Sequence, residues 1–215
     1  KRYMSRRNFF KCRSLFGLDF VYDEIPNKLL PFDYETFRSY PGKCLVGVTE
    51  AESGTAEFLN ALECDKKFTM LRATCALPVF FPAIKMKNKY YYDGGLCAPI
   101  PVEQAEKDGC DKFLVVLTRP KGYVKAVGKY DKIGARIVGR KYPKIKERIL
   151  NRYKDYNKEV KRCEELERQG KAIILRPKYP LKSFEADTKQ LEKNYRHGYQ
   201  QAKERMGEIK ELLGF

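Results

Sequence analysis

The chain has 215 residues, of which 43% are hydrophobic and 13% aromatic, so it can bury a sizeable core and a single domain over residues 1–215 is predicted. No run reaches the roughly 18 consecutive apolar residues of a membrane helix, and no apolar signal core follows the basic N-terminus. A net charge of +16 predicts attraction to polyanions.

The first part of the chain predicts short helices and a hairpin. Residues 9–40 are aromatic-rich and interrupted by prolines, which favours short helices, one of them capped by Asp33. The sequence Glu52-Ser53-Gly54 supplies turn residues between two β-type runs. The predicted elements are strands over 44–49 and 55–60, a helix over 67–76 and a strand over 89–92.

The rest of the chain predicts alternating helices and buried strands. The run FLVVLT at 113–118 is continuously apolar, as in a strand covered on both faces. Residues 121–141 mix glycine and lysine without a clear period. The other predicted elements are a helix over 102–107, a long helix from Pro143 to Gln169 closed by Gly170, a strand over 172–175 and a helix from a cap at Asp187 to about Leu213.

This alternation predicts an α/β fold in which part of the sheet is parallel. Within the single domain, residues 1–120 form the predicted core, and residues 121–215 form a basic, mainly helical C-terminal region. The charge follows the same division, because residues 119–215 contain 27 basic and 13 acidic residues and residues 1–118 contain 17 and 15. Anionic lipid headgroups and nucleic acid phosphates are both candidate partners for this surface, and an unspecific lysine-rich surface is the alternative.

Seven cysteines, an odd number without C-x-x-C spacing, and a single histidine indicate neither a disulfide framework nor a zinc site. Reduced thiols favour a cytoplasmic location, with a peripheral position at a membrane as a further option. Most of the cysteines are expected to be small buried residues. No metal or other cofactor is predicted.

Asp93 is the acidic residue with the most specific setting. It follows three tyrosines at the end of a predicted strand and precedes Gly94 and Gly95. Sites in open α/β sheets lie at the carboxyl ends of strands, and the glycines allow positive φ and close backbone approach. A plain hairpin turn is the structural alternative, since Asp-Gly is also a strong turn signal.

Three segments in a fixed order carry a family resemblance. They are RATCALPVFFPAI at 72–84, YYYDGGLCAPIPVEQA at 90–105 and DKFLVVLTRP at 111–120, the last followed by KGY. Their order and the D-G-G motif resemble the second half of the patatin-like phospholipase domain, in particular its bacterial members. The resemblance implies a three-layer fold with a central, partly parallel sheet between helices, here incomplete at the N-terminus.

The resemblance also implies a reaction, the hydrolysis of a lipid or other ester by a Ser-Asp dyad. Asp93 corresponds to the family's general base, which accepts the proton of the serine hydroxyl as its oxygen attacks the ester carbonyl. Phospholipids or lysophospholipids are the implied substrates. Neither a metal nor another cofactor is implied.

The sequence departs from the family at the nucleophile. The G-x-S-x-G elbow should precede Asp93, but none of Ser5, Ser14, Ser39, Ser53 and Ser183 lies in such a motif. The chain is therefore expected to be the C-terminal part of a longer protein and inactive by itself. The alternative is a non-catalytic module on a patatin-like scaffold that binds an anionic membrane or nucleic acid.

Other candidates favour structural roles. His197, within the last predicted helix, is expected to be a partly exposed helical residue, and Arg119 to form a structural ion pair. Nucleic acid is the disfavoured partner because tyrosines at helical spacing more often pack than stack on bases. The tyrosines interleaved with the basic stretch 119–178 are Tyr123, Tyr130, Tyr142, Tyr153 and Tyr156.

Overall fold

The computed structural model describes residues 3, 8, 10, 14, 16–183 and 185–214. Ser5 and Cys12 lie outside these described residues. The described part of the chain forms two compact units, each built from two segments. The first unit comprises Lys1–Pro99 and Val127–Asp155, and the second comprises Ile100–Ala126 and Tyr156–Phe215. The division predicted at residue 120 stays a prediction.

The structure contains helices and strands in alternation. A π-helix spans Phe20–Leu29. The α-helices are α1 Tyr34–Arg38, α2 Thr69–Thr74, α3 Val102–Lys107, α4 Lys129–Val138, α5 Pro143–Arg168, α6 Thr188–Glu204 and α7 Met206–Leu213. The strands are β1 Leu45–Glu50, β2 Ala56–Asn60, β3 Ile84–Met86, β4 Lys89–Asp93, β5 Phe113–Val116 and β6 Ala172–Leu175.

The sheet of the first unit has the order β2-β1-β4-β3, and all of its pairings are antiparallel. The predicted hairpin is confirmed as β1 and β2. Its turn forms because the Glu50 carboxylate accepts from the N–H groups of Glu52 and Ser53 at 3.1 and 2.6 Å. Burial acts to raise the pKa of Glu50, but the hydrogen bonds from Ser53 and Glu52 outweigh it, so the pKa lies below its usual value.

Helices cover this sheet with apolar side chains. Ala73 of α2 packs with Val46 and Val48 of β1 and with Tyr91 of β4. A second group of buried residues joins β4 to α4 and to the start of α5. Its members are Ala51, Ala76, Tyr92, Leu96, Ala135, Val138, Tyr142, Ile145 and Ile149.

The second unit is built around the parallel pair β5 and β6. Phe113 of β5 and Ile174 of β6 pack with Cys163 and Leu166 of α5. On β6, Ile173 and Leu175 pack with Ile209 of α7. Parallel strands need a long crossover connection, and α5 lies within the crossover between these two.

The predicted α/β fold, with antiparallel and parallel strands and a helical C-terminal region, is confirmed. Three local predictions were incomplete. Helix α4 forms within the region that showed no period, β3 was not predicted, and the last predicted helix is interrupted at Arg205, which separates α6 from α7. No helix among the described residues is long and apolar enough to cross a membrane.

Candidate active site

Asp93 is the last residue of β4, as the sequence predicts. In the sheet it pairs with Val48 of β1. Its N–H donates to the carbonyl of Ala76 at 3.1 Å, and its carbonyl accepts from Oγ1 of Thr49 at 2.9 Å. The main chain of Asp93 is therefore held from two sides, which fixes the position from which its half-buried side chain projects.

The carboxylate of Asp93 is oriented by the turn that follows it. Its Oδ1 accepts a hydrogen bond from the N–H of Gly95 at 2.7 Å. This contact caps the single 3₁₀ turn Gly94–Leu96. A side chain at position 95 would place its Cβ 2.9 Å from the same oxygen. Glycine at this position avoids that clash with the carboxylate.

Gly94 is required by a close approach of two backbones. A Cβ at this position would lie 2.3 Å from the carbonyl oxygen and 2.6 Å from the carbonyl carbon of Gly47 in β1. Gly47 is itself tied to α2, because Oγ1 of Thr74 donates to its carbonyl at 2.6 Å. The close backbone approach that glycine allows occurs at Gly94, whereas neither Gly94 nor Gly95 has a positive φ.

The sheet around Asp93 differs from the type that the sequence argument assumed. Strand β4 is antiparallel to both β1 and β3, whereas the rule about carboxyl ends applies to parallel strands. The placement of Asp93 therefore depends on the Gly94–Leu96 turn and on the contact with Gly47, and not on a shared edge of parallel strands.

Two of the three tyrosines before Asp93 are buried. Burial, with a contribution from the neighbouring Tyr142, raises the pKa of Tyr92 to about 12. Burial also raises the pKa of Tyr91 to about 12, together with the hydrogen bond that its hydroxyl donates to Glu57 at 2.8 Å. Tyr90 lies at the surface, beneath the ammonium group of Lys141. Tyr91 and Tyr92 point to opposite faces of β4 and belong to two different groups of buried residues, so both faces of the strand are covered next to Asp93.

The segment after the Gly94–Leu96 turn is anchored on the β1–β2 hairpin. Sγ of Cys97 donates to the carbonyl of Gly54 at 3.2 Å, and Nε of Arg148 donates to the same carbonyl at 2.7 Å. Burial raises the pKa of the Cys97 thiol, which keeps it protonated. Cys97 is therefore a structural donor in this arrangement.

Three of the four described serines make hydrogen bonds with residues two or three positions away, and the fourth contacts a distant arginine. Oγ of Ser39 donates to the carbonyl of Thr36 at 2.8 Å, and Oγ of Ser53 lies 2.7 Å from Oγ1 of Thr55 in the hairpin turn. Ser14 is buried, and its Oγ accepts from the N–H of Phe16 at 3.0 Å. Ser183 accepts a long contact of 3.5 Å from Arg119.

His197 and Arg119 have structural contacts in the second unit. Nε2 of His197 accepts from the N–H of Lys178 at 3.2 Å, and its ring packs on Tyr179 at 5.1 Å between centroids. Arg119 donates to the carbonyl of Leu181 at 3.2 Å and lies over the ring of Tyr123. The expectation for His197 agrees with this contact, whereas Arg119 binds a carbonyl and a ring where an ion pair was expected.

The cysteines differ from the expectation that most would be buried. Cys64 and Cys163 are buried, but Cys75 and Cys110 are exposed, and Cys44 is half-buried. Sequence reasoning also missed the groups that hold Asp93, which are Thr49, Ala76 and Gly47. No local signal could have identified them, because each is distant from Asp93 along the chain.

Two family models match parts of this sequence. Residues 2–106 match the family model described as patatin-like phospholipase, and residues 142–214 match that of a domain of unknown function, DUF6363. No curated protein sequence matches the chain. The first match includes β4, Asp93 and the Gly94–Leu96 turn, and the family is one of lipid acyl hydrolases. The resemblance to the patatin-like phospholipase family is therefore confirmed over residues 2–106 of this chain.

Proposed function

We propose that this protein hydrolyses acyl esters of phospholipids or lysophospholipids, and that Asp93 is the general base of a Ser-Asp dyad. The observation that carries the proposal is the Asp93 carboxylate, half-buried at the end of β4 and oriented by the N–H of Gly95 within the segment that matches the family. A fixed, partly desolvated carboxylate can accept the proton of a serine hydroxyl during its attack on a carbonyl carbon.

In this proposal the nucleophile is not one of the serines of the 215 residues, because none lies in a G-x-S-x-G motif. The reaction therefore needs a serine from outside residues 1–215, and these residues alone are inactive. No metal or other cofactor takes part in the proposed steps, since acyl transfer through a serine requires proton transfer and an oxyanion site only.

The test is Asp93→Asn in the protein as its gene encodes it. The asparagine Oδ1 can still accept from the N–H of Gly95, so the turn is retained while the base is lost. We expect hydrolysis of a soluble p-nitrophenyl ester and of phosphatidylcholine to fall at least about 100-fold. Unfolding curves and circular dichroism should match those of the unchanged protein.

The matched control is Asp111→Asn, which removes an exposed carboxylate in the loop before β5 and should leave both rates unchanged. A fluorophosphonate should label the full-length protein, and residues 1–215 alone should take no label. A rate for Asp93→Asn within a factor of two of the unchanged protein would overturn the role of Asp93.

An anionic membrane is the proposed source of substrate, at the cytoplasmic face. The basic C-terminal region supports attraction to such a surface. Nucleic acid is the less favoured partner, because Tyr142 and Tyr156 of this region pack against other side chains, although Tyr130 is exposed. Tyr142 is 2% exposed, and Tyr156 makes an edge contact with Tyr123. A non-catalytic role in binding polyanions stays the alternative to the hydrolase.

A further inference from the structure

Helix α4 carries a stripe of exposed apolar side chains. Tyr130, Ile133 and Ile137 are spaced at i, i+3 and i+7, so they lie on one face of the helix. They are 88%, 48% and 54% exposed, respectively. Large apolar groups that are contiguous on a surface mark contact sites more often than scattered ones do.

The stripe is held outward by the opposite face of α4. Ala135 and Val138 are buried on the other side of α4, and both belong to the same core group as Tyr92 and Tyr142. Turning the helix to hide Ile133 and Ile137 would remove Ala135 and Val138 from this core. The exposure of the stripe therefore follows from the packing of the first unit.

Val79 extends the apolar surface beyond the helix. It is 49% exposed, and its Cγ2 lies 3.2 Å from the position that a Cβ on Gly134 would take. Its φ of 78° lies in the left-handed region, which is costly for a β-branched residue. Strained backbone of this kind persists at functional positions, and here it keeps an apolar side chain at the surface next to the stripe.

The charge beside the stripe is almost entirely positive. Residues 127–146 contain seven basic residues and one acidic residue. The acidic residue is Asp131, whose carboxylate accepts from Arg152 at 2.5 Å and from the N–H of Gly128 at 2.9 Å. The cations on α4 and at its C-terminal end are Lys129, Lys132, Arg136 and Arg140, and all four are exposed.

We propose that this stripe and its cations, on α4, dock the protein onto an anionic lipid bilayer. Apolar side chains next to exposed lysine and arginine are what a helix needs to lie in a membrane interface. This proposal rests on the proposed function, because the bilayer would supply the hydrolase with its substrate. The contact itself depends on the side chains of α4 and not on Asp93.

Helix α6 provides the contrast within the same chain. Leu191, Tyr195 and Tyr199 are also exposed on one face. However, Glu192 and Glu204 lie on the same helix, and Glu192 is paired with Arg196 at 2.6 Å. Residues 186–205 around α6 contain five basic and three acidic residues, against seven and one over the same length around α4, so charge complementarity favours α4 and makes α6 a matched control.

A tryptophan probe reads out insertion directly, because the chain contains no tryptophan. The variants are Tyr130→Trp on α4 and Tyr195→Trp on α6, each tested with vesicles of phosphatidylserine and phosphatidylcholine and with vesicles of phosphatidylcholine alone. We expect a blue shift of emission for Tyr130→Trp with the anionic vesicles and none for Tyr195→Trp. A shift at both positions, or at position 195 only, would overturn the assignment.

Flotation with the same anionic vesicles separates the two components of the surface. The pair Ile133→Ser and Ile137→Ser should reduce binding about tenfold by removing apolar area. The pair Lys132→Glu and Arg136→Glu should reduce it at least about 25-fold, since each cation near the surface contributes about fivefold. The control pair Lys189→Glu and Lys193→Glu on α6 should change binding much less.

Three results would overturn the proposal. The serine pair could bind vesicles as tightly as the unchanged protein, which would make the contact purely electrostatic. A single-stranded RNA could displace the protein from vesicles and bind the serine pair normally. The serine pair could convert a dimer into a monomer in solution, which would assign the stripe to a second copy of the chain.

The two proposals fail separately. Asp93→Asn should bind vesicles as the unchanged protein does, because Asp93 is not on α4. Loss of binding in the α4 variants would support the docking surface even if Asp93→Asn retained full hydrolase activity. Normal vesicle binding by the α4 variants, combined with an inactive Asp93→Asn, would overturn the docking surface only.

Discussion

At the scale of single residues, Asp93 reaches its position because a neighbouring residue has no side chain. Gly94 lies so close to Gly47 that the two backbones are in contact, and this contact fixes where the turn after β4 begins. The N–H of Gly95 then holds the carboxylate. The candidate base is thus positioned by main-chain groups, which move less than side chains do.

We predict that Gly94→Ala lowers the free energy of unfolding by about 3 kcal/mol or more. The new methyl group would meet the carbonyl of Gly47, and neither backbone can move without breaking the β1–β4 pairing. Urea unfolding measures the change. Gly198→Ala on α6 is the control, because nothing lies within 4 Å of its Cβ position, so a gain of about 0.5–1 kcal/mol is expected there. Equal effects at both sites would contradict this interpretation.

At the scale of elements, α5 is joined to the start of α3 through a buried carboxylate. Oε2 of Glu159 accepts from the N–H of Ile100 at 2.6 Å, and Glu159 is 7% exposed. A buried N–H without an acceptor costs free energy. Glu159 is therefore a structural residue of the second unit.

We predict that Glu159→Leu destabilises the protein by about 1–3 kcal/mol, since it leaves the N–H of Ile100 without this acceptor. Glu159→Gln keeps an amide oxygen at the same place and should cost clearly less. Thermal unfolding of both variants checks the difference. If the leucine and glutamine variants unfold at the same temperature, the hydrogen bond to Ile100 is not the source of stability.

At the scale of the whole molecule, the buried tyrosines make the free energy of unfolding fall at alkaline pH. The pKa of Tyr91 and of Tyr92 is about 12 in the folded protein, against an ordinary value of 10. The folded state holds these phenol protons more tightly than the unfolded state does. Their contribution to stability is therefore complete below about pH 10 and is lost as the pH rises to about 12.

We predict that the free energy of unfolding falls between pH 10 and 12 by about 1.4 kcal/mol per pH unit for each of these tyrosines. Tyr92→Phe removes one of the two groups, so its stability should fall less steeply over the same range. Urea unfolding at a series of pH values measures both slopes. Identical slopes for the variant and the unchanged protein would show that Tyr92 does not titrate in this way.

Features that depend on neighbours along the chain could be predicted from the sequence. Asp33 and Asp187 accept from the N–H groups of the first turns of α1 and α6, as their residue types indicate. The β1–β2 hairpin, α3, β5 and β6 also form at or near the predicted residues. The position of Asp93 at the end of a strand belongs to this class, as does the family resemblance.

Features that depend on distant residues were decided only by the tertiary structure. The pairing of β4 with β1, the contact between Gly94 and Gly47, and the hydrogen bond from Thr49 all join residues more than 40 positions apart. Helix α4 was missed because its glycines and lysines obscure the helical period, and its apolar residues face two directions. Local sequence therefore determined the elements and the candidate base, while long-range packing determined the geometry of the site and the face that α4 presents to solvent.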